Sequence, residues 1–263
     1  MKKYIFPIVL ILSFLLASCM NNPDGGEPGA TDTPSANAST PTPVQTLTPS
    51  PVPVPFVPVE FKISLFELND DNQRLYIKTE YIDPFEFGSG TLERAVSESI
   101  HTEMYENIDW IKAAAKEYPA TEENFISYGL TSFLNITQND GSFLSIYVDY
   151  YTYAGGAHGN LTRIPFVYDR EGNKYEDLES ILSPGTTLSD VEDEINIQMK
   201  KIAEENGPMF YEDSISFDEL NTPPYFYIRG DRLIVYFQTY EIAPYAAGIQ
   251  EFTMPEGFFS PRN

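Results

Sequence analysis

The stretch that decides the fold is residues 125–153, which read FISYGLTSFLNITQNDGSFLSIYVDYYTY. Two runs rich in aromatic and β-branched residues, 125–136 and 143–153, flank Asn139-Asp140-Gly141. Such runs are typical of strands, and an Asp-Gly pair supplies the positive φ that a tight turn requires. The stretch therefore predicts a long β-hairpin in the middle of the chain.

Further elements are predicted on both sides of this hairpin. Alternating apolar residues predict strands at 61–65, 75–77, 225–228 and 233–240. Apolar residues at three- and four-residue steps predict two helices, at 91–118 and 188–205. This order differs from regular βαβα alternation, so we expect an α+β fold with largely antiparallel sheets and two main helices.

The first residues have the layout of an export signal. Lys2 and Lys3 precede an apolar run, residues 4–16, that is too short to span a bilayer as a helix. The run ends in Leu16-Ala17-Ser18-Cys19, which resembles the bacterial lipobox. We therefore expect residues 1–18 to be a lipoprotein signal peptide, and a lipid on Cys19 to anchor the protein to the extracytoplasmic face of the membrane. An ordinary signal peptide with an incidental cysteine is the alternative.

The next segment is dominated by proline, threonine and serine. Residues 19–58 contain few large apolar side chains, and their many prolines lack the amide donors that helices and sheets require. We expect this segment to be a disordered tether between the lipid and a folded unit that begins at residue 59.

Composition and charge exclude several classes of function. The chain has 39 Asp+Glu against 16 Lys+Arg, a net charge of -23, so a nucleic acid is a poor partner. One cysteine cannot form an internal disulfide, and two histidines cannot by themselves build a typical zinc site. We therefore expect no cofactor and no metal.

Two segments qualify as a candidate binding site. One is the glycine-rich loop around His158, directly after the central hairpin, and the other is a proline-containing turn that follows the last predicted strand. Glycine allows close approach of the backbone, and tyrosine is enriched at interfaces. The candidate ligand-binding residues are Tyr153, Gly155, Gly156, His158, Gly159, Tyr240, Glu241, Pro244 and Tyr245.

The Gly-Gly-Ala-His-Gly loop at 155–159 and the closing sequence YFQTYEIAPYAAG at 236–248 resemble a known family. It is the extracytoplasmic domain-of-unknown-function family shared by the anti-sigma factor RsiV, a lysozyme receptor, and the N-terminal region of the peptidoglycan deacetylase PdaC. The resemblance implies a PdaC-like α+β subdomain at 59–149, an RsiV-like one at 150–263, and recognition outside the cell. The anti-sigma and deacetylase activities are not carried over, because neither a sigma-binding segment nor the deacetylase histidines are recognised here.

Three functions remain open from the sequence. The first is a non-catalytic recognition module that binds a cell-envelope component such as peptidoglycan, or a cationic protein of the lysozyme type. The second is a wall-polymer hydrolase that uses His158 with Asp149 or Glu241. The third is a structural spacer without a ligand. Arg229-Gly230-Asp231 is predicted to be a hairpin turn rather than an adhesion motif, and His101 a solvated helix position.

Overall fold

A computed structural model describes residues 58–72, 74–83, 90–119, 121, 123, 126–220 and 224–260. The expected signal peptide, Cys19 and all of the tether except Pro58 lie outside the described residues. The described residues all fall within one compact unit. Among them, no helix has the length and apolar character that a membrane span requires.

The fold is α+β, as the order of the elements predicts. The strands are β1 (Ile63–Asp70), β2 (Leu75–Ile82), β3 (Tyr128–Asn139), β4 (Leu144–Tyr153), β5 (Asn160–Tyr168), β6 (Tyr225–Ile228), β7 (Leu233–Phe237) and β8 (Gln250–Thr253). The helices are α1 (Thr91–Glu117) and α2 (Leu188–Asn206). One sheet has the order β1-β2-β3-β4-β5 and the other β6-β7-β8. Neighbouring strands are antiparallel except β2 and β3, which α1 connects in parallel.

The central hairpin forms where it is predicted, but its turn is stabilised differently. Strands β3 and β4 pair from Gly129 opposite Tyr153 to Asn139 opposite Leu144. The positive-φ glycines of the described chain do not include Gly141. The carboxylate of Asp140 accepts hydrogen bonds from the backbone N–H groups of Ser142 (2.7 Å) and Phe143 (2.9 Å). Side-chain hydrogen bonding, rather than glycine backbone freedom, therefore closes this turn.

Each sheet has its own helix and its own core. Helix α1 covers the first sheet with a fully buried apolar stripe that includes Val96, Ile100, Met104 and Ile108. Helix α2 packs by Val191, Ile195 and Met199 into the cluster that contains the second sheet. Fully burying one such side chain is worth about 1.5–3 kcal/mol, so these two stripes hold the layers together.

Several strand bounds depart from the sequence prediction. Strands β5 and β8 were not predicted, and β7 ends at Phe237 rather than at residue 240. The backbone N–H of Gln238 donates to the carboxylate of Glu241 (2.6 Å), so it is not available to a neighbouring strand. The expected subdomain boundary at 149/150 falls inside β4, whose pairing with β5 extends the first sheet to Tyr168.

Candidate ligand-binding surface

The two candidate segments lie side by side in the structure. The loop of residues 154–159 joins β4 to β5, and the turn of residues 238–249 joins β7 to β8. The side-chain amide of Gln238 donates to the carbonyl of Arg163 (2.6 Å) and accepts from its backbone N–H (3.0 Å). Thr239 donates to the carbonyl of Leu161 (3.3 Å). These bonds attach the turn to β5 and place its tyrosines next to the loop.

His158 is at the centre of this contact. Its ring stacks on that of Tyr245, with the centroids 4.0 Å apart and the planes at 17°. Its Nε2 lies 3.1 Å from the hydroxyl of Tyr240, and its Nδ1 lies 2.8 Å from the carbonyl oxygen of Gly159. Because a carbonyl oxygen only accepts, this geometry assigns the proton to Nδ1, and the Tyr240 hydroxyl then donates to Nε2. Both ring nitrogens are thus engaged within the site.

Tyrosines of β4 determine the path of the glycine-rich loop. The hydroxyl of Tyr153 donates to the carbonyl of Gly156 (2.9 Å), and that of Tyr151 accepts from the N–H of Gly159 (3.1 Å). Gly155 and Gly156 have φ of +91° and +96°, a region that favours glycine. The path of this loop therefore depends on glycine and on the β4 tyrosines.

The assembled rings form an open surface. Tyr240 is 52% exposed and Tyr151 is 39% exposed, while Tyr153 and Tyr245 are half-buried beside the exposed His158. We call these five residues the aromatic surface. It offers flat ring faces with polar edges, a combination that suits reversible contact with a ligand.

The remaining candidate residues have mainly structural contacts. Glu241 binds the backbone N–H of Gln238, as described above, and Pro244 lies exposed at the start of a short 3-10 segment that contains Tyr245.

The Arg-Gly-Asp sequence is a hairpin turn packed against β3, because Gly230 donates its N–H to the side chain of Gln138 (3.0 Å). His101 is half-buried, with its ring 4.7 Å from that of Tyr105.

Sequence reasoning missed Arg163, a charged group at the junction of the two sheets. It is 8% exposed, and its Nε (2.7 Å) and Nη2 (2.9 Å) bind the two carboxylate oxygens of Asp149. A third nitrogen binds Glu251 on β8, and the guanidinium lies 3.8 Å from the ring centroid of Tyr147. Although burial alone would lower the pKa of Arg163, its bonds to Asp149 and Glu251 raise it well above the ordinary value. A single arginine in an unpredicted strand gave no signal in the sequence.

The candidate acid–base groups have hydrogen-bond partners within the protein. A general base needs a lone pair directed at a proton of the substrate, but the two nitrogens of His158 face Gly159 and Tyr240. Asp149 is bound at both oxygens by Arg163. Within the described ranges, no group of three or more His, Cys, Asp or Glu side chains is arranged to hold a metal ion.

Comparison with known proteins places this fold in a class. Residues 69–161 match the family model described as Deacetylase PdaC, and residues 179–256 match that of a protein of unknown function, DUF3298. The chain is thus similar to both families over these two ranges. This confirms the PdaC part of the resemblance seen in the sequence.

Solved structures of DUF3298 family proteins resemble the chain. One, from Pseudomonas aeruginosa PAO1, has a TM-score of 0.54 at 16% identity and covers 78% of this chain and 96% of its own. Another, from Bacteroides fragilis NCTC 9343, has a TM-score of 0.48 at 15% identity. The match covers 74% of this chain and 90% of the Bacteroides chain. No curated protein matches the chain. At such identities, the Pseudomonas likeness is evidence for the fold alone.

Proposed function

We propose that the protein is a non-catalytic recognition module, held outside the cell by a lipid on Cys19, that binds its ligand through the aromatic surface. The observation that carries this proposal is the stacking of His158 on Tyr245, with Tyr240 bonded to the same ring. Two segments about 80 residues apart in the sequence converge there on an exposed patch of rings. Exposed tyrosines are enriched where proteins make contacts, and rings held in place by neighbours lose little entropy on binding.

Two ligand classes fit this surface. Flat ring faces can stack on the sugars of a cell-envelope polymer such as peptidoglycan. A net charge of -23 favours a cationic protein of the lysozyme type, because it steers such a partner toward the module. Catalysis is not part of the proposal, because both nitrogens of His158 have partners inside the site.

The binding test uses the full-length protein in detergent. Co-sedimentation with purified peptidoglycan, and titration with hen lysozyme at low and at physiological salt, measure the two ligand classes. We expect Tyr240→Ala to weaken binding of the true ligand at least about tenfold, the loss typical of a contact tyrosine. Tyr105→Ala removes a ring on α1 that is 44% exposed, similar to Tyr240, and should leave binding unchanged.

Three outcomes would overturn the proposal. One is no binding of either ligand at either salt concentration. Another is equal binding by the wild-type protein and Tyr240→Ala. The third is turnover of a wall polymer that disappears in His158→Ala, which would support the hydrolase instead.

The anchor has its own test. We expect mass spectrometry of protein from the native host to find diacylglyceryl on Cys19, since two acyl chains are what stable anchoring requires. Cys19→Ser should move the protein from the membrane fraction to the soluble fraction. An unmodified Cys19 in membrane-bound wild-type protein would contradict the anchor.

A further inference from the structure

A small cavity lies directly beside the turn that carries Tyr240. It has a volume of about 160 Å³, and its apolar wall includes Met199 of α2 and Ile215, Leu220 and Ile242 from the two neighbouring loops. A cavity of about 150 Å³ is large enough for benzene, so this one has room for a single side chain.

The polar lining of this cavity is acidic. Glu212, Glu219 and Glu241 line it, and no lysine or arginine among the described residues does. The adjoining groove shares Met199 and Glu212 with it and adds two more acidic residues, Glu204 and Asp213, against one lysine. An apolar wall with carboxylates around it is complementary to a side chain that has a hydrocarbon stem and a positive head.

The wall is held in a fixed shape. The side-chain amide of Asn196 on α2 accepts from the N–H of Ile215 (2.7 Å) and donates to its carbonyl (3.0 Å). The N–H of Phe217 donates to Glu192 (2.5 Å), and that of Tyr211 to the carbonyl of Ile242 (2.9 Å). These bonds tie the 211–217 segment to α2 and to the Tyr240 turn, so the cavity does not have to be organised by a ligand.

We propose that this cavity is a subsite for one arginine or lysine side chain of a partner protein. The stem would lie along Met199, Ile215 and Ile242, and the cationic head would face Glu212 and Glu219. Residues 20–57 of the chain contain neither lysine nor arginine, so its own N-terminal segment lacks the matching charge. The inference rests on the proposed recognition function and deepens it, because it favours a basic protein over a wall polymer.

The test uses methyl NMR of the full-length protein in detergent, with Nα-acetyl-arginine methylamide as the probe. We expect saturable shifts of the Met199, Ile215 and Ile242 methyls with Kd of about 1 mM, as suits so small a ligand. The citrulline analogue has the same shape without the charge, and it should bind at least about tenfold more weakly. Glu219→Gln should weaken arginine binding about three- to fivefold, whereas Glu204→Gln, in the adjoining groove, should change it less than about twofold.

The inference fails if the arginine probe gives no saturable shift. It also fails if citrulline binds equally, which would indicate an ordinary apolar pocket, or if Glu219→Gln binds as the wild type does. Its failure is distinguishable from that of the proposed function, since the probe does not depend on the aromatic surface. Arginine binding in a protein that binds neither peptidoglycan nor lysozyme would refute the proposed ligands and leave the subsite standing.

Discussion

At the scale of single residues, the aromatic surface depends on one backbone position without room for a side chain. A Cβ atom on Gly159 would lie 2.4 Å from Cζ of Tyr151 and 2.5 Å from the carbonyl oxygen of Thr152. Backbone atoms cannot move aside as the end of a flexible side chain can. The loop must therefore shift if this glycine is replaced.

We predict that Gly159→Ala destabilises the protein by about 1–3 kcal/mol, the usual cost of overpacking a close contact, and weakens ligand binding. Urea unfolding followed by fluorescence measures the first effect. Gly129→Ala is the control, because its Cβ would meet only Cβ of Tyr153 at 3.9 Å. Equal stability of the two variants would show that the loop tolerates the clash.

A second residue-scale prediction concerns Glu103 on α1. Burial raises the pKa of this carboxyl, and the neighbouring Glu106 raises it further. A carboxyl with a raised pKa in the folded state costs stability once it is ionised, and acidification through that pKa removes the cost. Glu103→Gln, which keeps the acceptor for Asn107, should therefore stabilise the protein at pH 7, by less than about 1 kcal/mol because the group is partly exposed.

The measurement for Glu103→Gln is thermal unfolding at several pH values. The stability gained by Glu103→Gln should disappear as the pH falls below the range in which a free glutamate titrates. The wild-type carboxyl is then protonated and as neutral as the glutamine. A gain that is constant from pH 4 to pH 7 would mean that the charge is not its cause.

At the scale of elements, α2 begins with a complete capping box. Thr187 accepts from the N–H of Asp190 (3.2 Å), and the carboxylate of Asp190 accepts from the N–H of Thr187 (2.8 Å). The side-chain and backbone hydrogen bonds to Thr187 lower the pKa of Asp190. The box therefore contributes stability above the ordinary titration range of aspartate and loses it as the pH falls through the lowered pKa.

Thr187→Ala should cost about 1 kcal/mol near pH 7, the usual value of an N-cap. The difference from the wild type should narrow in strong acid, where Asp190 is protonated in both proteins. Thr187→Ser is the matched control, because it keeps the capping hydroxyl. A serine variant as unstable as the alanine variant would show that the cap is not what the threonine contributes.

Arg163 on β5 forms a buried ion pair with Asp149 in the same sheet and a second one with Glu251 in the other sheet. The side chain of Asp149 is 18% exposed and that of Arg163 is 10% exposed, so removing Asp149 leaves a charge that water reaches poorly. We expect Asp149→Ala to cost about 3 kcal/mol or more. Glu67→Ala breaks the exposed pair with Lys78 and should cost less than about 1 kcal/mol. Urea midpoints compare the two, and equal losses would mean that Glu251 alone compensates the charge of Arg163.

At the scale of the whole molecule, the excess of acidic residues sets the rate at which a cationic partner arrives. Steered association falls steeply with ionic strength, because salt screens charges beyond about 10 Å at 0.1 M. We predict that association with a basic protein slows at least about tenfold between 10 mM and 150 mM salt, with little change in dissociation. Stopped-flow kinetics gives both rates. An association rate that is independent of salt would contradict a role for the net charge.

The elements with strong periodic patterns are predictable from the sequence, and the weak ones are not. The pattern of α1 gives 91–118 against the observed Thr91–Glu117, and that of α2 gives 188–205 against Leu188–Asn206. Strand β5 is obscured by the glycine-rich loop before it and by Pro165 within it, which an edge strand tolerates. Strand β8 has only four residues, too few for a pattern.

The sequence by itself determined the α+β class, both helices, the central hairpin and the two segments that form the candidate site. Local signals suffice for these, because apolar spacing and turn residues act within a short stretch of chain. Only the tertiary structure decided that His158 stacks on Tyr245, that Arg163 binds Asp149 and Glu251, and that an acidic cavity adjoins the Tyr240 turn. Apart from the Arg163–Asp149 pair, which lies across the neighbouring strands β4 and β5, these contacts join residues far apart in the chain, and only the packing of the two sheets and of α2 brings them within bonding distance.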